Sequence, residues 1–193
     1  WIVRGSDQVV GEAVGRSDHT KSVQDAVSRA NGYMLIFDNG RQKQANQIKT
    51  IRRFISQQVD YIVLSPIEES GWDTVLQEAK DAGIPVILID RKVSVDDDSL
   101  YASWVGSDFV REGQDAGYWL EDYMKKQGRE DDKINIVVLK GTKGASATIG
   151  RTHVFNEVAK VQHNWNILQQ VDGEFTTAKG KEEMARLLDQ YDD

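Results

Sequence analysis

The sequence predicts an α/β protein in two lobes, each a parallel sheet with helices on both faces, and three observations lead there. Short apolar runs alternate with amphipathic stretches at a step of about 25 residues, the spacing of strand–helix–strand units joined by right-handed crossovers. Five of the six residues at 84–89 (IPVILI) are large aliphatics. That run is too short for a helix and has no polar interruption, so it reads as a strand buried on both faces. Finally, Gly106-Ser107-Asp108 reads as a joint, after which a second α/β series begins. Residues 1–107 and 108–193 are therefore expected to form separate lobes.

Residues 1–6 make a weak first strand, because Arg4 and Gly5 interrupt it. Gly11 and Gly15 bracket a loop. A helix is expected from Ser17, with Val23, Ala26, Val27 and Ala30 on its inner side and Asn31-Gly32 as its stop. Residues 33–37 (YMLIF) form a buried strand closed by Asp38-Asn39-Gly40. The next helix carries Ile48, Ile51, Phe54 and Ile55 as its stripe, with Gln42 and Gln44 beginning it in solvent. Residues 60–64 (DYIVL) are the third strand. Trp72, Val75, Leu76 and Ala79 mark a helix that ends at Ala82-Gly83, ahead of the strand at 84–89.

Residues 92–100 are a charged loop and 101–105 (YASWV) a short fifth strand. Asp108 is a candidate cap for a long helix whose inner side shows Val110, Gly117, Trp119, Leu120, Tyr123 and Met124. Trp119, like Trp72 and Trp104, is thus expected to be core packing. Beyond a solvated linker at 125–133 come a strand at 134–139, a helix from Ala145, a strand at 166–171 and a helix at 177–191. Two parallel strands are too small a sheet to stand alone. The second lobe is therefore expected to be incomplete, the chain to be C-terminally truncated, and its apolar surface to be partly exposed. The start at Trp1, without initiator Met or leader, likewise suggests a processed or truncated product.

Composition narrows the function. In 193 residues, 39% are hydrophobic, enough for a core, and the net charge of -7 argues against a nucleic-acid partner. There is no cysteine, which excludes disulfides and thiolate chemistry. No stretch approaches the ~20 apolar residues of a membrane span. His19, His153 and His163 are scattered without metal-ligand spacing, and neither G-x-S-x-G nor G-x-G-x-x-G is present. The glycine-rich GTKGASATIGR segment at 141–151 has the wrong Lys-Gly order for a phosphate loop. No catalytic residue, metal or cofactor is expected.

At Asp90-Arg91 the apolar run meets an acceptor and a donor side by side. Ligands of open parallel sheets bind outside the carboxyl ends of the strands. A neutral polyol suits that mixture, since a carboxylate accepts from several hydroxyls and a guanidinium fork donates in a plane. By itself such a pair after a buried strand is more often a loop-level ion pair or a helix cap.

The surrounding segments carry a resemblance: GRQKQANQIKTIRRFISQQVDYIVLSP (40–66), GWDTVLQEAKDAGIPVILIDR (71–91), VGSD (105–108), LKGTKGASATIGRTHVF (139–155) and GEFTTAKGKEEM (173–184). The chain resembles the sugar-binding proteins of bacterial ABC importers, the ribose/galactose class of periplasmic binding proteins, and among them the galactofuranose-binding members. The resemblance implies a two-lobed periplasmic-binding-protein type 1 fold whose hinged lobes close over one monosaccharide. It also implies a periplasmic or extracytoplasmic location, the membrane permease of an ABC importer as partner, no catalysis and no insertion into the membrane.

By position, the resemblance implies that Asp90 and Arg91 hold sugar hydroxyls. It matches Arg151 to a second-lobe arginine, although Val154 stands where glycine is usual, and Phe175 to the aromatic that stacks on the sugar. Read without it, Arg151 is a surface residue near a helix start, and Phe175 fits the core as well as a stacking platform. In the first loop it matches Gln8, Glu12 and Arg16, with Gly15 where the group carries an aromatic. Losing that stacking face is expected to weaken binding by about 1 kcal/mol. The same two-lobed module also serves as the inducer domain of lac-repressor-type regulators and as the outer domain of some receptors. An upstream helix-turn-helix would distinguish the first, and an export leader the importer protein. A small α/β hydrolase would need a nucleophile and base that the sequence does not offer.

Overall fold

A computed structural model describes the backbone of residues 2–8 and 14–191, and side chains over 20–191. The chain divides into two compact units, Trp1–Ser107 and Asp108–Asp193.

The first unit is a five-stranded parallel sheet: β1 (Ile2–Gln8), β2 (Tyr33–Asn39), β3 (Tyr61–Leu64), β4 (Val86–Ile89) and β5 (Ser103–Val105), in the order β2-β1-β3-β4-β5. The connections are α1 (Val14–Ala26), α2 (Gln44–Ser56) and α3 (Asp73–Asp81). The chain steps one way from β1 to β2 and then back across β1 to β3. Right-handed crossovers therefore put α1 on one face and α2 and α3 on the other.

The core lies under α2 and α3. Ile51 and Phe54 of α2 and Val75, Leu76 and Ala79 of α3 meet Ile62 and Leu64 of β3 and Val86 and Leu88 of β4, all buried. Each large side chain so buried contributes about 1.5–3 kcal/mol. Trp72, just ahead of α3, is fully buried, and its Nε1–H donates to the Glu68 carbonyl at 2.8 Å.

Several boundaries differ from expectation, each for a physical reason. The β4 strand begins at Val86, because Pro85 has no N–H for the ladder, although its carbonyl accepts from Ile62 N–H at 3.0 Å. Val86 and Leu88 are buried, whereas Ile87 and Ile89 are only half-buried. Those two face the side that carries α1 alone of the three crossover helices. The first strand persists through Arg4 and Gly5 because it pairs on both edges, with β2 and β3. Helix α1 starts at Val14 and stops at Ala26, with a 3-10 turn at Arg29–Asn31. Its expected stripe is broken: Val23 and Val27 are half-buried, Ala26 and Ala30 exposed.

The second unit holds one parallel pair, β6 (Ile134–Lys140) and β7 (Trp165–Asp172), with α4 (Phe109–Lys126), α5 (Ser146–Val161) and α6 (Thr177–Gln190). Asp108 caps α4 by accepting from Arg111 N–H at 3.0 Å, and Thr176 caps α6 by accepting from Lys179 N–H at 3.2 Å. The buried side of α4 is Phe109, Gly113, Gly117 and Met124. Gly117 and Met124 are buried as expected, but the rest of the expected side is corrected: Trp119 is 64% exposed and Val110 and Tyr123 are also exposed. The cause is the close approach of α5. A Cβ at Gly117 would come within 2.7 Å of Val158 Cγ1, so glycines face α5 there, while Val110, Trp119 and Tyr123 face away. Trp119 and Tyr123 stack on the outer side, with centroids 5.2 Å apart. Of the three tryptophans expected to be core, Trp72 is core, Trp104 is half-buried against the same cluster, and Trp119 is surface. No described helix is long and apolar enough to cross a membrane.

Candidate ligand-binding site

In the first unit the chemistry gathers at the carboxyl end of β4. Asp90 directly follows the strand and adopts the left-handed backbone conformation (φ +63°), which aspartate tolerates better than most residues. Its N–H donates to the Val105 carbonyl at 2.8 Å, and its carbonyl accepts from Trp104 Nε1–H at 3.2 Å. Bonds on both sides of the backbone therefore fix where the carboxylate is presented.

Arg91 is 4% exposed, and its Nη1 donates to the Ile67 carbonyl at 3.1 Å. The loop that receives it is held from below by Gln47 of α2, which is fully buried. Gln47 Nε2 donates to the Ser65 carbonyl at 2.8 Å, and its Oε1 accepts from Ile67 N–H at 3.0 Å. Ile67 is thus gripped at its N–H by an amide and at its carbonyl by a guanidinium. Gln47 is the residue that sequence reasoning passed over. Its signal was a polar side chain on the core stripe, four before Ile51 and seven before Phe54. Replacing it with leucine leaves two buried backbone groups without that partner. Gln47→Leu is expected to lose about 2–4 kcal/mol in urea denaturation; a loss below about 0.5 kcal/mol, the scale of an ordinary surface change, would contradict this structural role.

Gln44, expected in solvent, is half-buried and donates through Nε2 to the Ser70 carbonyl at 2.5 Å. Gln8 is the last residue of β1 and Arg16 lies in the first turn of α1. The side chains of Gln8 and Arg16, and all of Glu12, lie outside the described residues.

In the second unit Arg151 and Phe175 line one cavity of about 480 Å³. Arg151 projects from α5, and its Nε donates to Glu112 Oε2 of α4 at 2.7 Å. Its guanidinium lies 5.0 Å from the Phe109 ring centroid, so an anion and an aromatic face both orient it. Phe175 follows β7 in a left-handed turn (Glu174 and Phe175, both φ +55°) that is pinned where Thr142 Oγ1 donates to the Glu174 carbonyl at 3.1 Å. Its ring lies on Gly141, where any Cβ would fall 1.9 Å from the ring, so only glycine fits. At the strand ends Lys140 and Asp172 pair at 3.2 Å.

Thr148 also lines this cavity, with its hydroxyl buried and unpartnered among the described residues. Neither Glu112 nor Thr148 had a sequence signal: Glu112 acts across the α4–α5 pair, and Thr148 matters by facing the cavity. Among the described residues no group of His, Cys, Asp or Glu is placed to hold a metal ion.

Chemically, the first unit offers a carboxylate on a backbone held at both its N–H and its carbonyl, next in sequence to a buried guanidinium. The second offers a guanidinium, a hydroxyl and an aromatic face around an apolar hollow. Both sets suit a small neutral molecule with hydroxyls on its edges and a C–H face.

Residues 16–193 match the family described as periplasmic binding protein domain, and the chain belongs to that family. Its fold is the type 1 fold of that family, with parallel sheets flanked by helices. It is 41% identical over 184 residues to the galactofuranose-binding protein YtfQ of Escherichia coli K12, covering 95% of this chain and 56% of that protein. A Mycobacterium smegmatis protein crystallised in complex with beta-D-fucofuranose superposes with a TM-score of 0.92 at 38% identity, over 100% of this chain and 62% of that one. The binding-protein component of the arabinose ABC transporter of Shewanella sp. ANA-3, bound to alpha- and beta-L-arabinofuranose, superposes with a TM-score of 0.87 at 44% identity, over 97% and 60%. The chain thus spans little more than half the length of the curated relative and about three fifths of the solved chains.

Proposed function

We propose that this chain belongs to an extracytoplasmic solute-binding protein that captures a monosaccharide in its furanose form for an ABC importer. The observation that carries the reading is the pair at the carboxyl end of β4. There Asp90 is set by backbone bonds to β5 and Trp104, and Arg91 is anchored beside it. Support comes from relatives at 38–44% identity whose solved complexes hold fucofuranose and arabinofuranose.

On this reading Asp90 accepts from sugar hydroxyls, Arg91 and Arg151 donate to ring and hydroxyl oxygens, and Phe175 covers the C–H face. Gln8, Glu12 and Arg16 complete the set from the first loop. Sugar contacts made only in a closed form would favour that form, and a membrane permease would read it. The protein carries out no reaction on the sugar.

The test is isothermal titration with L-arabinose, D-galactose and D-fucose, all of which populate furanose forms. Saturable binding to at least one is expected. Flat titrations with all three, alongside binding of a non-carbohydrate solute, would overturn the assignment.

A further inference from the structure

We propose a second site, for a small oxyanion, in the hollow at the carboxyl end of β2. The charge pattern first marks it. Residues 39–59 carry Arg41, Lys43, Lys49, Arg52 and Arg53 and no acidic residue, in a chain whose net charge is -7. The fold gathers three of these cations, Arg41, Lys49 and Arg53, around a polar hollow of about 330 Å³.

The acidic groups nearby are already engaged. Arg52 turns away to a bidentate pair with Glu78, at 2.8 Å on both arms. Asp38, the acidic residue lining the hollow, uses both carboxylate oxygens on the chain itself. Its Oδ1 accepts from Asn39 N–H at 2.7 Å, and its Oδ2 accepts from Thr50 Oγ1 at 2.9 Å and from the Arg53 guanidinium. Burial pushes its pKa up, but the Thr50 hydroxyl, the Asn39 N–H and Arg53 outweigh it and hold the group below the usual carboxylate range. Asp38 therefore stays ionised and fixes Arg53 at the rim.

Arg41 and Lys49 are left lining the hollow with no carboxylate partner among the described residues. Arg41 is held there by its N–H, which donates to Asn39 Oδ1 at 2.8 Å. A guanidinium fork beside an ammonium is the donor set for phosphate or carboxylate oxygens. The polar lining gives an apolar or sugar C–H face nothing to cover. The hollow is also separate from Asp90, since β2 and β4 are three strand spacings apart, roughly 14 Å.

The experiment is a chemical-shift titration of the full chain with sodium phosphate and, separately, sodium citrate, at ionic strength matched with sodium chloride. Saturable shifts confined to residues 38–53 are expected with at least one of them. Saturation by phosphate alone assigns a phosphate site, and saturation by citrate alone a carboxylate site. The Arg41→Ala/Lys49→Ala double variant is expected to weaken that binding at least about tenfold. Its melting midpoint should be unchanged, because both side chains are exposed. Linear, unsaturating shifts with both anions, or equal affinity in the double variant, would overturn the proposal.

Discussion

Asp90→Ala is expected to abolish measurable sugar binding, raising Kd at least about a hundredfold. A carboxylate that accepts two hydroxyls contributes two charge-assisted hydrogen bonds of about 1.5–3 kcal/mol each, and each 1.4 kcal/mol is tenfold in affinity. Part of any stability change must be separated out, because residue 90 sits at φ +63° and alanine there costs roughly 1–2 kcal/mol in backbone strain. Asp90→Asn provides the control. Asparagine accepts the left-handed conformation, so it removes charge and one acceptor without the backbone cost. The expected order in calorimetric titration is wild type tightest, Asn intermediate and Ala undetectable, with the Asn variant melting like wild type. Equal affinity in all three would remove Asp90 from the site.

Trp72→Ala carries the largest expected loss of stability, about 3–5 kcal/mol. The side chain is fully buried between α3 and the sheet, so truncation leaves a cavity and also orphans the Glu68 carbonyl that it satisfies at 2.8 Å. Against the total of about 5–15 kcal/mol typical of a domain, that is enough to unfold much of the population. Trp119→Ala is the matched comparison. At 64% exposure, with Tyr123 as its stacking partner, it is expected to cost less than about 1 kcal/mol. Urea denaturation followed by far-UV circular dichroism distinguishes the two. A Trp119→Ala loss as large as that of Trp72→Ala would mean that α4 packs on the face that carries Trp119.

That contrast shows what was legible in the sequence. Strands ending in a charge announce themselves, so β4 and the position of Asp90-Arg91 could be read from hydrophobicity alone. The residues that marked the α2 and α3 cores, Ile51, Phe54, Val75 and Leu76, are large, and helical spacing puts them on one face. On α4 the same rule placed Gly117 and Met124 correctly but added Val110, Trp119 and Tyr123, which are exposed, and missed Gly113, which carries no hydrophobic signal and matters by what it lacks.

Gln47 was hidden for the opposite reason. A polar residue in a core position is invisible to a pattern that counts apolar ones, yet it ties the loop that Arg91 also holds. Arg151 and Phe175 were legible only through the family resemblance. The features that place them, Glu112 across the helix pair and Gly141 under the ring, are contacts of the fold and leave no trace in local spacing.

The most direct measurement is a crystal structure of the protein grown with the sugar that titrates tightest. A furanose ring is expected with hydroxyls within about 2.7–3.2 Å of the Asp90 carboxylate and the Arg151 guanidinium, and with its C–H face against Phe175. A sugar bound elsewhere, with no contact to either Asp90 or Arg151, would contradict the assignment.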